Sequence, residues 1–232
     1  MVLGTPIGPQ PYVQLQMAPV LGKIARFCRA LRRLGDPQIS LLLLQKSVGI
    51  CRVTHLLRTV DPQHICCELE ALDAMYLSAL QHVLDTEVSQ ATWAQAKLPT
   101  RLGGLGLTHC KDVAPLAIVS SALRFSSKCN GLRLPASAKR PSGACRHACE
   151  LLNQSLSPIA AEIRQLGQDP LNEFAHLEPD TKLQKWYTVF HHQKSARDLL
   201  SIAAARDRVR LQCLSAPLAG VWLNTTPHLS SG

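Results

Sequence analysis

Two helix-start signals in the first half of the chain constrain its fold most strongly. Asp36-Pro37-Gln38 and Asp61-Pro62-Gln63 each place an aspartate directly before a proline. An aspartate at an N-cap accepts a hydrogen bond from the first helical turn, and a proline at the first helical position has no N–H group to leave unsatisfied. Apolar runs follow both signals, so we predict two helices, at residues 37–59 and 62–84.

The segment before the first signal also has a helical period. Its apolar residues recur at intervals of three and four, which places them on one face of a helix. These residues are Leu21, Ile24, Cys28 and Leu31. Basic residues fall on the opposite face, namely Lys23, Arg26, Arg29 and Arg33. We predict that this helix ends at Gly35, because glycine tolerates the left-handed conformation found at helix C-termini.

The composition favours helices throughout the chain. Hydrophobic residues make up 46% of the sequence but aromatic residues only 4%, whereas strands are enriched in aromatic and β-branched residues. Further helices are predicted at residues 89–97, 111–127, 145–166 and 180–210, the third of them interrupted near Pro158.

We therefore predict an all-α fold, an irregular helical bundle with a short N-terminal extended segment and a mobile central linker. The proline-rich residues 1–19 form the extended segment, and residues 20–128 form the main helical domain. Residues 129–143 are rich in Pro, Ser, Gly and basic residues, so we expect a flexible linker there. A C-terminal helical region spans residues 144–214, and a loop-like tail spans residues 215–232.

The basic residues are concentrated in two segments of the chain. Residues 1–60 contain eight Lys or Arg and one acid, and residues 113–149 contain six and none, within a net charge of +9. Residues 61–112, by contrast, contain three basic residues and seven acids. This segregation indicates surfaces that attract polyanions, although ordinary solubility accounts for a basic excess equally well.

The sequence offers no catalytic, metal or cofactor site. Two-metal polymerase chemistry needs close carboxylates, and the nine aspartates are scattered without an adjacent pair. The run LPTRLGGLGL at residues 98–107 lacks the Gly-Lys-Ser/Thr ending of a phosphate loop, so we interpret it as a structural turn. Cys145 and Cys149 lack the second spaced pair of ligands that a zinc site usually has.

The cysteine pattern and hydropathy indicate a reduced, intracellular protein. The nine cysteines do not have the spacing of a disulfide framework. We find neither a signal-peptide pattern nor an apolar run of membrane-spanning length, so we expect no membrane partner. The sequence does not distinguish nucleus from cytoplasm and does not set the oligomeric state.

Three stretches together resemble the region that follows the catalytic palm in non-long-terminal-repeat retrotransposon reverse transcriptases. They are LGTPIG at residues 3–8, QAKLPTRLGGLGL at residues 95–107 and SAPLAGVWL at residues 215–223. The central run is the most distinctive, and the order and spacing of the three carry the resemblance. The family's finger and palm portions, with their catalytic aspartates, would lie before Met1. The Cys- and His-rich segment that often follows the third stretch is missing.

The resemblance implies a thumb-like helical region that contacts a primer–template duplex of DNA or RNA. Lys23, Arg26, Arg29 and Arg33 would bind phosphates without reading bases. Arg101 is a further candidate that only the resemblance identifies. The chain is then expected to be a partial reverse transcriptase-like product of a mobile element, which binds nucleic acid non-specifically and is not an enzyme.

A second interpretation stays open. The same pattern suits a helical protein–protein interaction module of an intracellular protein with no nucleic-acid role, whose basic face meets an acidic partner or only solvent. Salt-dependent binding to any duplex favours the first interpretation. Tight binding to one protein, with none to nucleic acid, favours the second.

Overall fold

The chain folds into helices joined by short turns. The computed structural model describes residues 5–48, 50–129, 183–217 and 219. No strand occurs within these ranges, which confirms the predicted all-α fold. The α-helices are α1 (Gln10–Leu31), α2 (Pro37–Leu43), α3 (Thr54–Leu57), α4 (Cys66–Leu84), α5 (Gln90–Lys97), α6 (Cys110–Cys129), α7 (Leu183–Ile202) and α8 (Ala205–Leu214). Shorter turns are a π turn at Leu44–Val48 and 3-10 turns at Ile50–Arg52, Pro62–Ile65 and Thr100–Leu102.

Helix α1 begins earlier than the sequence predicts. An extended segment was expected over residues 1–19, but α1 begins at Gln10 and contains Pro19. A proline inside a helix removes one hydrogen bond and costs about 3 kcal/mol. The carbonyl that loses its partner belongs to Leu15, which is 67% exposed, so water can reach it. Val13 and Met17 are buried, and burying such side chains contributes about 1.5–3 kcal/mol each, which offsets the proline.

The predicted helix caps are confirmed. The carboxylate of Asp36 accepts a hydrogen bond from the Ile39 N–H at 3.0 Å, and that of Asp61 accepts one from the Gln63 N–H at 3.0 Å. Each proline therefore lies in a first turn in which the capping aspartate accepts a hydrogen bond from a backbone N–H group. Gly35 has a φ of 64° as expected, although α1 itself already ends at Leu31.

The helix predicted at residues 37–59 is wrong as one continuous element. Helix α2 changes at Leu44 into a π turn, and α3 begins only at Thr54. The Tyr76 hydroxyl on α4 donates a hydrogen bond of 2.7 Å to the carbonyl of Val48, at the end of the π turn. Val48 and Val53 are both buried. Tertiary contacts at the irregular turns therefore override the local helical pattern, as they often do.

The predicted helices at 62–84, 89–97 and 111–127 correspond to described elements. The first begins with a 3-10 turn that continues into α4, and the others are α5 and α6. Ser89 caps α5 by accepting a hydrogen bond from the Thr92 N–H at 3.2 Å. The helix predicted at 180–210 is divided, because α7 ends at Ile202 and α8 starts at Ala205.

Several expectations fall outside the described residues. They are the linker at 129–143 beyond the last residue of α6, the helix at 145–166, and most of the tail and of the third resembling stretch. The described start of the tail, residues 215–217, is a turn that follows α8, consistent with the expected loop.

The described residues belong to two compact units. The first unit is drawn from Met1–Gln14, Thr54–Cys66 and Lys111–His191, and the second from Leu15–Val53, Cys67–Cys110 and His192–Gly232. Helices α1, α4, α6 and α7 each contribute residues to both units.

The first unit is held by buried apolar residues on α6 and by polar contacts near α3. Val113, Leu116 and Val119 of α6 are buried. The buried hydroxyl of Thr5 lies 3.0 Å from Nε2 of His55. These contacts hold the start of the described chain against α3.

The second unit contains buried apolar residues of α1, of the segment that follows it and of α4. Ile24, Cys28 and Leu31 of α1 are buried, as are Leu41 and Leu44 after it. Buried residues of α4 complete this core, and they include Leu69, Leu72, Tyr76, Ala79 and Leu80. All of these residues belong to the second unit.

A smaller cluster in the second unit positions the C-terminal helices. Leu98, Leu199 and Leu211 are buried together. The neighbouring half-buried side chains are Ala94, Leu102, Ala196, Leu200 and Ala203. The end of α7 and the whole of α8 are therefore anchored on the segment that follows α5.

No helix among the described residues is long and apolar enough to cross a membrane.

Candidate nucleic-acid interface

The basic side of α1 is the main candidate surface. Ile24, Cys28 and Leu31 are buried, and this fixes the rotation of the helix in the second unit. Three of the predicted basic residues on the opposite side, Lys23, Arg26 and Arg29, are exposed. The helical period placed all three correctly, because burying one face of a helix exposes the other.

Arg33 is exposed but does not lie on α1. The helix ends at Leu31, and the Arg33 N–H donates to the carbonyl of Ala30 at 3.0 Å in the turn that follows. Arg33 is exposed. It lies in the turn after α1, however, and not on the basic face of the helix as the sequence predicts. The neighbouring Arg32 is held differently, since its guanidinium donates to the Ser78 hydroxyl at 2.8 Å.

The glycine-rich run after α5 is a structural turn, as the sequence predicts. Six consecutive N–H groups, from Leu102 to Leu107, all donate to backbone carbonyls at 2.7–3.2 Å. The side chain of Gln95 also donates to the Gly103 carbonyl at 2.9 Å. Phosphate-binding loops instead direct free N–H groups at the ligand. These N–H groups are occupied within the loop, so this run does not cradle a phosphate.

The three glycines of this loop are required by its geometry. Gly103 and Gly106 have φ values of 77° and 70°, in the left-handed region that other residues rarely adopt. A Cβ on Gly104 would lie 2.5 Å from the carbonyl oxygen of Gln95 and closer still to that of Leu98. The loop is thus folded tightly back on the end of α5.

Arg101 lies in this loop and not on α1. It is exposed in the 3-10 turn Thr100–Leu102. The loop packs on the last turn of α8, because a Cβ on Gly103 would lie 3.1 Å from the Cβ of Leu214 and 3.3 Å from the carbonyl oxygen of Leu211. The structure therefore associates Arg101 with α8.

Helix α8 carries basic residues that the sequence analysis did not assign. Arg206 and Arg210 are both exposed and are four residues apart, so they share one side of the helix. In the sequence, only the i, i+4 spacing of the two arginines indicates this basic side of α8. The net charge of residues 150–232 gives no such indication, because the segment is neutral as a whole.

Buried polar residues near α4 form a structural cluster. Asp73, 4% exposed, accepts a hydrogen bond from the Cys110 N–H at 2.8 Å, and its other oxygen lies 3.1 Å from Nε2 of His109. The rings of Trp93 and His109 form a T-shaped pair, with an interplanar angle of 73° and centroids 6.4 Å apart. The Asp73 carboxylate thus accepts a hydrogen bond from the first N–H group of α6, where the helix dipole favours negative charge.

The Cys28 thiol and the Tyr76 phenol are kept protonated by burial. Burial raises the pKa of the Tyr76 hydroxyl far above its usual range, and the neighbouring Cys110 and Cys28 thiols and Asp73 add to the increase. Burial likewise raises the pKa of Cys28, although Arg32 opposes it. Within the described ranges, no three His, Cys, Asp or Glu side chains are arranged to hold a metal ion.

No protein-family model matches this chain, and no curated protein or solved structure matches it.

Proposed function

We propose that this chain is a reverse transcriptase-like, catalytically inactive protein that binds nucleic-acid duplexes non-specifically through the basic side of α1. The observation that carries the proposal is the exposure of Lys23, Arg26 and Arg29 opposite the buried Ile24, Cys28 and Leu31. The exposed Arg33 in the following turn adds a fourth cation. Long cationic side chains in a row can neutralise successive phosphates of one duplex backbone.

The surroundings of these side chains favour a polyanion as the partner. No hydrogen bond or ion pair within the described residues engages the side chains of Lys23, Arg26 or Arg29. The first 60 residues contain a single acid, Asp36, and its carboxylate caps α2. The positive charges of Lys23, Arg26 and Arg29 are therefore not paired within the described residues. Such a surface attracts nucleic acid, and the range of the attraction falls as the salt concentration rises.

The proposal predicts a steep dependence of duplex binding on salt. Each phosphate contact on duplex DNA contributes a slope of about −0.9 in a plot of log affinity against log salt concentration. The double variant Arg26→Ala and Arg29→Ala should weaken binding to all duplex sequences alike and flatten the slope by nearly two units. Fluorescence anisotropy with labelled DNA and RNA duplexes over a range of salt concentrations measures both quantities.

A charge-matched control is provided by Arg52 and Arg58, whose guanidinium groups are held by protein oxygens. Arg52 donates to the Ser47 carbonyl at 2.7 Å, and Arg58 to the Gln184 side chain at 2.6 and 2.9 Å. Replacing both with alanine removes the same net charge and should leave the slope unchanged. Equal slopes for wild type and the α1 double variant would show that this side of α1 is only a solvated surface.

A protein-interaction module is the second candidate, and the exposure of Leu15 favours it. This leucine is 67% exposed, and at 100° per residue it projects from the same side of α1 as Arg26 and Arg29. An apolar side chain adds nothing to phosphate binding but contributes to a protein interface. Loss of partner binding in a Leu15→Ser variant, with duplex binding absent in the wild type, would favour this second function.

A further inference from the structure

Helix α8 presents a second basic surface whose orientation is fixed by packing. Leu211 is buried in the cluster with Leu98 and Leu199. At 100° per residue, Arg206 and Arg210 project roughly 140° and 100° away from Leu211. Both are therefore directed towards solvent, in agreement with their exposure.

The loop after α5 places a third arginine near the last turn of α8. Gly103 packs against Leu211 and Leu214 in the last turn of the helix. Thr100, Gly103 and Arg210 also line one cavity of about 300 Å³. Arg101, which follows Thr100 and is exposed, thus lies beside the part of α8 that carries Arg210.

The remaining charged residues of α8 have local roles. The guanidinium of Arg208 donates to the Ala203 carbonyl at 3.2 Å and so stabilises the break before the helix. Asp207 lies in the first turn, where a carboxylate interacts favourably with the helix dipole. Arg206 and Arg210 have no comparable hydrogen bond within the described residues.

We propose that Arg101, Arg206 and Arg210 form a second surface that binds the phosphate backbone of a nucleic-acid duplex, in addition to α1. This inference rests on the proposed function. Guanidinium groups bind phosphate oxygens in a bidentate geometry. Helix α8 contains no aromatic residue, whereas protein interfaces are enriched in aromatic anchors. A backbone-binding surface needs no such anchor, so a nucleic acid fits this surface better than an acidic protein does.

The experiment compares salt slopes of the full chain and its variants on DNA and RNA duplexes. The double variant Arg206→Ala and Arg210→Ala should flatten the slope by nearly two units, and Arg101→Ala by about one. The lysine variant Arg206→Lys and Arg210→Lys keeps both charges and should retain the slope, which separates loss of charge from loss of folding. The Arg52→Ala and Arg58→Ala control should again have the wild-type slope.

The outcomes separate this inference from the proposed function. Unchanged slopes for both the Arg101 and the α8 alanine variants, with a flatter slope for the α1 variant, would overturn the second surface and leave duplex binding by α1 intact. Absence of duplex binding by the wild type would overturn both. Arginine-dependent binding to polyglutamate, without binding to either duplex, would assign the α8 surface to an acidic protein and so also overturn the inference.

Discussion

Gly104 shows how a single residue type determines the loop that places Arg101. Its backbone lies so close to the carbonyl groups of Gln95 and Leu98 that a Cβ atom has no room. Both contacts are with backbone atoms, which cannot move aside as a flexible side chain can. The close approach lets the N–H groups of Leu105 and Leu107 both reach the carbonyl of Ala96, at 3.2 and 3.1 Å.

A Gly104→Ala variant should therefore be less stable than wild type by about 1–3 kcal/mol, the usual cost of overpacking. Gly22 is the matched control, because it lies within α1 and a Cβ there would meet nothing within 4 Å. Gly22→Ala should stabilise the protein by about 0.5–1 kcal/mol. Urea denaturation followed by circular dichroism measures both. If Gly104→Ala has the wild-type midpoint, the loop does not depend on this close approach.

At the scale of elements, the start of α2 depends on its N-cap, and its end depends on side chains buried in the core. Asp36 starts α2 through its hydrogen bond to the Ile39 N–H. The helix then becomes a π turn at Leu44, where Leu44 and Val48 are both buried. A π turn adds a residue to the helical turn and so shifts which side chains face inward. The N-terminal signal is local, whereas the interruption depends on residues distant in the sequence.

Removing the cap should weaken α2 by an amount typical of N-caps. Asp36→Ala is expected to lower the free energy of unfolding by about 1 kcal/mol. Gln38→Ala, two residues along and exposed, should change it little, since alanine is the better helix former. Thermal denaturation of both variants tests this. Similar midpoints for the two variants would mean that water hydrogen-bonds the Ile39 N–H as well as the Asp36 carboxylate does, with no loss of stability.

At the scale of the whole molecule, no three His, Cys, Asp or Glu side chains within the described ranges are arranged to hold a metal ion. Template-directed polymerisation requires carboxylates that hold two metal ions together. Asp73, the buried carboxylate of the second unit, is instead occupied by the Cys110 N–H and His109. Neither Asp36 nor Asp61 is available, because both cap helical turns.

The purified chain should accordingly add no nucleotides to a primer annealed to an RNA or DNA template, with either Mg²⁺ or Mn²⁺ present. The matched positive control is an active reverse transcriptase on the same template. Metal-dependent extension that persists through purification and is lost when the chain is removed by immunodepletion would contradict the proposal of an inactive protein.

The sequence by itself determined the helical class, the two caps at Asp36 and Asp61, and the exposed side of α1. Each depends on residues within one or two turns of one another, where the 3.6-residue period and hydrogen bonds to the first turn act locally. The loop at residues 98–107 was also interpreted correctly as a turn, because its glycines exclude regular structure. Its backbone hydrogen bonds show why it takes no phosphate.

Only the tertiary structure decided the length of α1, the interruption after Leu44 and the association of Arg101 with α8. Pro19 argues locally against a helix, and burial of Val13 and Met17 outweighs it. The division of residues 20–128 between two units also has no local signal. In each case the deciding free energy comes from burying apolar surface against residues far away in the chain, which no local pattern encodes.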